Sequence, residues 1–249
     1  ALFPSVVAPY GYDDQNLSEQ FIAPCLAHPF GTDNFGRDIL SRVIYGCRIS
    51  LLIGLISVSI SCVLGVILGC IAGYYGNKVD NLVMRFIDIM LAIPQMLLAM
   101  SIVAALGIGT ENLILAIAIG SVPGYARIVR GSILSVKGQE FIEAARSIGA
   151  SDFRIITRHI VPNCLAPIIV QATMSIASAI LSTASMSFIG LGIEPPTPEW
   201  GSMLSAGRAY LRDHWFVVTF PGIAIMLTVF AFNLFGDGLR DALDPKLKQ

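Results

Sequence analysis

Five stretches of this sequence contain no Asp, Glu, Lys, Arg or His. They cover residues 49–77, 89–110, 112–126, 163–193 and 215–236. A helix needs about 20 apolar residues to cross the hydrocarbon core of a bilayer, which is about 30 Å thick. Four stretches reach that length, and the third reaches it if Arg127 extends its charge to the membrane surface.

The sequence therefore predicts an all-α membrane protein with five spans. We expect the spans at about residues 46–75, 84–108, 112–132, 163–190 and 215–236. Two prolines, Pro94 and Pro123, fall inside predicted spans and should kink them.

The overall composition agrees with a chain that lies mostly in lipid. Hydrophobic residues make up 55% of the 249 residues and charged residues only 13%, against roughly 25% in ordinary soluble domains. The formal net charge is −1, so there is no strong basic field to attract nucleic acid. This composition excludes a nucleic-acid-binding protein, a disordered chain and a coiled coil.

The distribution of Lys and Arg predicts which side of the membrane each end of the chain occupies. With the C-terminus in the cytoplasm, most basic residues fall in cytoplasmic segments. These residues are Lys78, Arg85, Arg127, Arg130, Lys137, Arg146, Arg154, Arg158, Arg240, Lys246 and Lys248. The outer segments then hold Arg37, Arg42, Arg48, Arg208 and Arg212. We therefore expect residues 1–48 to lie outside and residues 49–249 to form the transmembrane domain.

The sequence begins at Ala1 without Met, and its first nine residues are mostly apolar. They resemble the outer end of a helix, and we interpret them as the end of a sixth, N-terminal span that precedes this sequence. A cleaved signal peptide is the alternative explanation.

Small residues recur every four positions in the first predicted span. They are Ser57, Ser61, Gly65, Gly69 and Gly73. Because residues four apart share one helix face, these positions form a stripe where a second helix can approach closely. The stripe therefore predicts a packed helix bundle and says nothing about substrate.

Four serines share one face of the predicted span at 163–190. They are Ser175, Ser178, Ser182 and Ser185. One interpretation is a polar wall of a translocation pathway. The other is ordinary helix packing in which each hydroxyl bonds to a carbonyl one turn earlier. The sequence leaves both open.

No charged residue lies deep in any predicted span, although carriers driven by protons or ions usually need one for coupling. The phosphate-binding pattern G-x-x-x-x-G-K-[ST] does not occur, nor do G-x-S-x-G and H-E-x-x-H. The five Cys form no C-x-x-C pair and no close cluster with His. We therefore predict no catalytic residue and no metal site in this chain.

The longest cytoplasmic loop, at about residues 137–162, predicts two short helices joined by a tight turn. Phe141, Ala145 and Ile148 fall on one helix face, and Gly149 is suited to end that helix. Ser151 or Asp152 can cap the second helix. An exposed helix with small residues on its face suits docking into a cleft of a partner protein. The alternative is a helix lying on the lipid surface.

This loop resembles the signature of permease subunits of ABC importers, which reads Glu-Ala-Ala, three residues, Gly, and later Pro. Glu143, Ala144, Ala145 and Gly149 match it at the family spacing, and Pro162 falls at the family position. Two later positions depart mildly, at His159 and Val161.

The resemblance extends over nearly the whole chain to the second permease of the dipeptide, oligopeptide and nickel branch. The segments that carry it are HPFGTDNFGRDILSRVIYG (28–46), GYYGNKVDNLVMRFIDIMLAIP (73–94), FIGLGIEPPTPEWGSML (188–204) and FNLFGDGLRDALDPKLKQ (232–249). The implied fold is a type I ABC importer permease bundle in a bacterial or archaeal cytoplasmic membrane.

By this resemblance the loop is a coupling helix that sits in a cleft of an ATP-binding subunit. The implied coupling residues are Glu140, Phe141, Glu143, Ala144, Ala145, Ser147, Gly149 and Ala150. The implied partners are a second homologous permease, two ATP-binding subunits that carry ATP and Mg²⁺, and an extracytoplasmic solute-binding protein. This chain itself would bind no cofactor and hydrolyse no ATP.

The branch implies import of dipeptides or oligopeptides, with glutathione or a nickel chelate as alternative cargo. A channel or carrier independent of ATP is an alternative of another class, and it would need a gating charge or ion site. A membrane scaffold that binds ATPases without moving solute is a third possibility that the sequence leaves open.

Overall fold

The computed structural model describes residues 3–243. Ala1 and Leu2, in the predicted outer helix end, lie outside the described residues, as do Lys246 and Lys248. Residues 3–243 form eleven α-helices and no β-strand. The helices are α1 (Pro4–Val7), α2 (Ile39–Tyr75), α3 (Asn77–Ala92), α4 (Gln95–Leu106), α5 (Thr110–Val136), α6 (Glu140–Ser147), α7 (Asp152–Ile155), α8 (Val161–Asn163), α9 (Leu165–Phe188), α10 (Trp200–Gly207) and α11 (Phe216–Leu243).

Four helices are long and apolar enough to cross a membrane, namely α2, α5, α9 and α11. A fifth span is available if α3 and α4 are taken together, although they are bent by 88° at the break between them. Pro94 lies in this break, where its missing N–H and its ring prevent a continuous helix. The all-α class of membrane protein is thus confirmed.

Two helices run through residues that could have ended or kinked them. α5 continues past Pro123 as one element. The sequence predicts that this span ends at about residue 236, but α11 continues past Gly236 to Leu243. Gly236 serves close packing, because a methyl group there would lie 2.9 Å from the Met174 Cγ atom. A glycine that permits a close approach need not stop a helix.

The chain divides into two compact units. Among the described residues, unit 1 comprises residues 3–57, 99–117 and 176–232, and unit 2 comprises residues 58–98, 118–175 and 233–243. Both units combine separate stretches of sequence.

Unit 1 has an apolar core into which Trp200 is almost completely buried. The Trp200 indole N–H donates a hydrogen bond of 3.0 Å to the Val43 carbonyl oxygen. The buried Glu199 caps α10, since its carboxylate accepts bonds of 2.9 and 2.8 Å from the N–H groups of Gly201 and Ser202. The loop before α10 is therefore fixed by specific polar contacts.

The segment before α2 is held by buried charges in the same unit. Asp33 accepts a 2.8 Å bond from Arg37 Nε and lies 3.6 Å from Arg42 Nε. His28 Nδ1 lies 3.0 Å from the buried carboxylate of Asp38. These contacts pair groups that are close in sequence, which is the arrangement expected of a structural loop.

Unit 2 is built on a close contact between α2 and α5. Methyl groups added at Gly65, Gly69 and Gly73 would lie 2.2 Å from Tyr125 Cβ, 2.7 Å from Val129 Cβ and 3.0 Å from Ile133 Cβ, respectively. Ser61 Oγ donates a 2.9 Å bond to the Ala118 carbonyl oxygen. The small-residue stripe thus lets the two backbones approach within this unit, as packing of helices through small residues requires.

Candidate functional site

The short helix α6 forms because its two ends suit a helix. Glu140 and Glu143 lie in its first turn, where negative charge interacts favourably with the helix dipole. Its end is a Schellman turn, in which the N–H groups of Gly149 and Ala150 bond back to the carbonyls of Arg146 and Ala145 at 2.9 and 3.1 Å. Gly149 has a φ angle of +78°, which glycine adopts at little cost.

One side of α6 is anchored in the apolar core of unit 2. Ile142 and Ala145 are buried there, together with Ile133, Val136 and Ile155. These side chains come from α5, α6 and α7, so the loop is a packed extension of the bundle. A packed loop can transmit a displacement to the helices that hold it.

The opposite side of α6 is exposed and largely apolar. Phe141 and Ile148 are exposed, although the sequence places them on the same face as Ala145, which is buried. Ala144 is exposed between them. The three residues predicted to share one face are therefore separated in the structure. Ala145 is buried in the core beside Ile142, whereas Phe141 and Ile148 are exposed.

A groove of about 540 Å³ runs along this exposed side. Its lining consists of Phe141, Ala144, Ala145, Ile148, Gly149, Ala150, Arg154, Arg158 and His159. Small residues leave space for an inserted side chain, and the arginines add positive charge. Five of the eight predicted coupling residues line the groove, while Glu140, Glu143 and Ser147 are exposed on the same helix.

The second helix of the loop begins at Asp152. Within the described chain, the Ser151 side chain makes no capping bond to it. The helix then passes through a π-helical segment, Ile156–Ile160, before α8. Such segments are rare and often occur at functional sites.

Sequence analysis missed Tyr74, which fixes this loop to the end of α2. The Tyr74 hydroxyl donates a 2.6 Å bond to Asp152 Oδ1, and the Lys137 ammonium donates to the Tyr74 carbonyl oxygen. The Arg146 guanidinium lies 5.3 Å from the Tyr74 ring centroid. A tyrosine two residues before Gly76 is the only sequence signal, and it does not identify a partner 78 residues away.

The four predicted pathway serines lie on α9. In unit 1, Ser178, Ser182 and Ser185 are exposed or half-buried, while Ile180 and Ala184 are buried. At 3.6 residues per turn, these serines lie on the side opposite the buried residues. Ser185 Oγ donates a 2.8 Å bond to the Leu181 carbonyl oxygen.

In unit 2, Ser175 accepts a 3.1 Å bond from Gln171 Nε2. Of these two bonds, the one from Ser185 to the Leu181 carbonyl is of the kind that the packing interpretation describes.

The fold and this loop define a transport permease, and comparison with known proteins identifies its family. Residues 65–249 match the family described as "binding-protein-dependent transport system inner membrane component". The chain belongs to this family. It is therefore a membrane-embedded transport subunit of the ABC importer class and not an enzyme, as the sequence analysis predicts.

Two relatives place the chain in the predicted branch. The di/tripeptide transport system permease protein DppC of Pseudomonas aeruginosa is 50% identical over 259 residues, which cover all of this chain and 84% of the relative. The glutathione transport system permease protein GsiD of Escherichia coli O157:H7 is 52% identical over 252 residues, which cover all of this chain and 82% of the relative.

Solved structures support the fold. A chain from inward-facing conformations of the MetNI methionine ABC transporter matches with a TM-score of 0.69 and 20% identity, covering 83% of this chain and 98% of that chain. A chain of an amino acid ABC transporter matches with a TM-score of 0.62 and 15% identity, covering 82% and 95%, respectively.

Proposed function

We propose that this chain is one of two permease subunits in an ATP-driven importer of dipeptides or oligopeptides. A second, homologous permease would complete the pathway, two ATP-binding subunits would bind ATP and Mg²⁺, and an extracytoplasmic binding protein would deliver the cargo. The observation that carries this proposal is the α6 groove, which is exposed, lined in part by small residues and anchored in the bundle.

The groove supports coupling because its two sides have different roles. The outer side, with Ala144 and Gly149, offers space for side chains of an ATP-binding subunit. The inner side, with Ile142 and Ala145, packs on the membrane helices. Closure of the ATP-binding subunits would move α6 as a rigid piece, and the spans would change from one access state to the other.

The membrane orientation follows from this role. An ATP-binding subunit works in the cytoplasm, so α6 lies on the cytoplasmic side and α11 ends there. Residues 1–48 then lie outside, and residues 49–249 form the transmembrane domain. The excess of Lys and Arg in the segments on the α6 side supports the same orientation.

The serine face of α9 is our proposed pathway wall. Ser178, Ser182 and Ser185 face away from the core of unit 1. If this side of α9 faced lipid, apolar side chains would be more favourable there than hydroxyl groups. Ser175 continues this face within unit 2. Hydroxyls on such a face can exchange hydrogen bonds with the amides of a passing peptide.

Peptide is the proposed cargo because a relative with 50% identity is named a di/tripeptide transport system permease. Glutathione is the second candidate, since a relative of 52% identity is a glutathione permease. Glutathione is itself a tripeptide derivative, so both candidates share amide and carboxylate groups. A nickel chelate is the third cargo to be tested.

The proposal is tested by purifying the full-length protein from native membranes in mild detergent and identifying the co-purified proteins. We expect two ATP-binding subunits and a second permease. In Ala144→Trp, the larger side chain fills the groove, and the ATP-binding subunits should be lost while the second permease is retained. Recovery of the wild-type protein alone would refute the importer assembly.

A matched control is Gly138→Asp, which changes an exposed glycine of the same loop outside the groove. It should retain the ATP-binding subunits. Uptake of labelled dialanine, glutathione and a nickel–histidine chelate by proteoliposomes of the purified complex then identifies the cargo. Uptake of none of the three would reject the cargo proposal.

A further inference from the structure

Tyr74 is almost completely buried, although it lies one residue before the end of a 37-residue helix. Its neighbour Tyr75 is 52% exposed. The Tyr74 ring belongs to the apolar core that also holds Ile142 and Ala145 of α6. We call residues 137–162, which include α6 and α7, the docking loop. The end of α2 and the docking loop are therefore parts of one packed structure within unit 2.

Tyr74 also makes polar contacts with the two helices of this loop. The Tyr74 hydroxyl donates a 2.6 Å hydrogen bond to Asp152, the first residue of α7. The Arg146 guanidinium, in the last turn of α6, lies 5.3 Å from the Tyr74 ring centroid. One side chain of α2 therefore contacts both helices of the loop.

Lys137 joins α2 to the start of the loop. Its ammonium donates to the carbonyl oxygens of Tyr74 and of Gly73, the latter at 3.5 Å. The last carbonyls of a helix have no partner within the helix, and a cation there also interacts favourably with the helix dipole. Lys137 therefore caps α2 and ties it to the segment that leads into α6.

These two kinds of contact differ in what they can transmit. Close-packed apolar side chains such as Ile142 resist being pushed together. Hydrophobic contact has no preferred direction, however, so it does not by itself hold two groups in one relative orientation. A short hydrogen bond is directional and weakens steeply when its geometry changes. The Tyr74–Asp152 bond is therefore the contact best suited to make α2 follow a displacement of the loop.

We propose that Tyr74 is the positioning residue that transmits movement of the docking loop to α2, with Asp152 as its partner. This inference rests on the proposed function, because it needs α6 to be the element that an ATP-binding subunit moves. It goes further by assigning the transmission to one hydrogen bond. The receiving helix is α2, which contacts α5 through Gly65, Gly69 and Gly73.

The experiment compares uptake with ATP hydrolysis in proteoliposomes of the complete complex. Tyr74→Phe keeps the ring and removes only the hydroxyl, so we expect the complex to assemble and to retain most of its ATP hydrolysis. The number of labelled dialanine molecules imported per ATP should fall about tenfold, as loss of one strong hydrogen bond implies. Asp152→Ala should have the same effect, and the double variant should be no worse.

Two further variants separate transmission from folding. Asp152→Asn retains an oxygen that accepts from the hydroxyl, so it should restore most of the import ratio. Tyr75→Phe makes the same chemical change at the exposed neighbour and should leave the ratio unchanged.

The outcomes also separate this inference from the proposed function. An unchanged number of dialanine molecules imported per ATP in Tyr74→Phe would overturn the inference. Loss of the ATP-binding subunits from the Tyr74→Phe complex would also overturn it, because Tyr74 would then act in docking or folding. If the wild-type complex lacks ATP-binding subunits, the proposed function fails instead.

Discussion

Gly65 and Tyr125 lie so close together that a methyl group added to Gly65 would be 2.2 Å from the Tyr125 Cβ atom. It would also lie 3.1 Å from the Ala126 backbone nitrogen. No rotation of a side chain relieves a clash between Cβ atoms, because the position of Cβ is fixed by the backbone. The contact between α2 and α5 in unit 2 therefore depends on this glycine.

We expect Gly65→Ala to destabilise the protein by about 1–3 kcal/mol, the usual cost of overpacking a core. The measurement is thermal unfolding of the detergent-purified protein. Gly124→Ala is the control on α5, since no described atom beyond its own turn of helix lies within 4 Å of the added methyl group. Equal stability of the two variants would contradict the close contact.

Two ion pairs join α3 to α5 and differ in exposure. Arg130 makes a bidentate pair with Asp80 at 2.5 and 2.6 Å, whereas Arg127 and Asp88 are both more than half exposed. Because exposed pairs contribute at most about 1 kcal/mol, Arg127→Ala should change stability little. Arg130→Ala should destabilise the protein clearly more in the same unfolding assay. A larger effect of Arg127→Ala would reverse the expected order.

Substitutions in α6 should separate coupling from folding. Glu143→Lys and Gly149→Asp should abolish uptake while membrane insertion stays intact, because both positions are exposed in the docking loop. Gly149→Asp additionally strains a backbone with φ of +78°. Uptake by cells and protein abundance in isolated membranes are the two measurements. Normal uptake in both variants would show that the loop has no coupling role.

Glu199 should be required for the stability of the loop around α10. Glu199→Ala removes the acceptor for two backbone N–H groups, and loss of an N-cap costs about 1 kcal/mol. Glu194→Ala is the control, since Glu194 is exposed five residues earlier in the same loop. The expected readout is faster proteolysis of the loop in Glu199→Ala alone. Equal cleavage rates in both variants would exclude this capping role.

The helices could be predicted from sequence because long uncharged runs have few other solutions. α2, α5, α9 and α11 follow directly from that argument. The 88° bend between α3 and α4 was harder to predict, because Pro94 indicates a kink but not its size. α3 begins at Asn77, before the predicted span start at about residue 84. A charged residue such as Asp80 argues against a span as long as its partner Arg130 is unknown.

The site could be predicted only in part. The Glu-Ala-Ala pattern located α6, but a helix of eight residues has too few apolar positions to show which side is buried. Ile142 is buried and Phe141 exposed because of contacts with α5 and α7, which lie elsewhere in the sequence. Tyr74 was missed for the same reason, because its role depends on a partner in another helix.

The sharp bend beside Pro94 determines what can surround it. Residues 91–97 are all exposed in this chain, and the last carbonyls of a helix such as α3 have no donor within that helix. Hydrocarbon tails offer no hydrogen bonds, so irregular backbone is not tolerated against lipid. We therefore expect water or a neighbouring subunit, and not hydrocarbon, to surround the bend when this chain lies in a membrane.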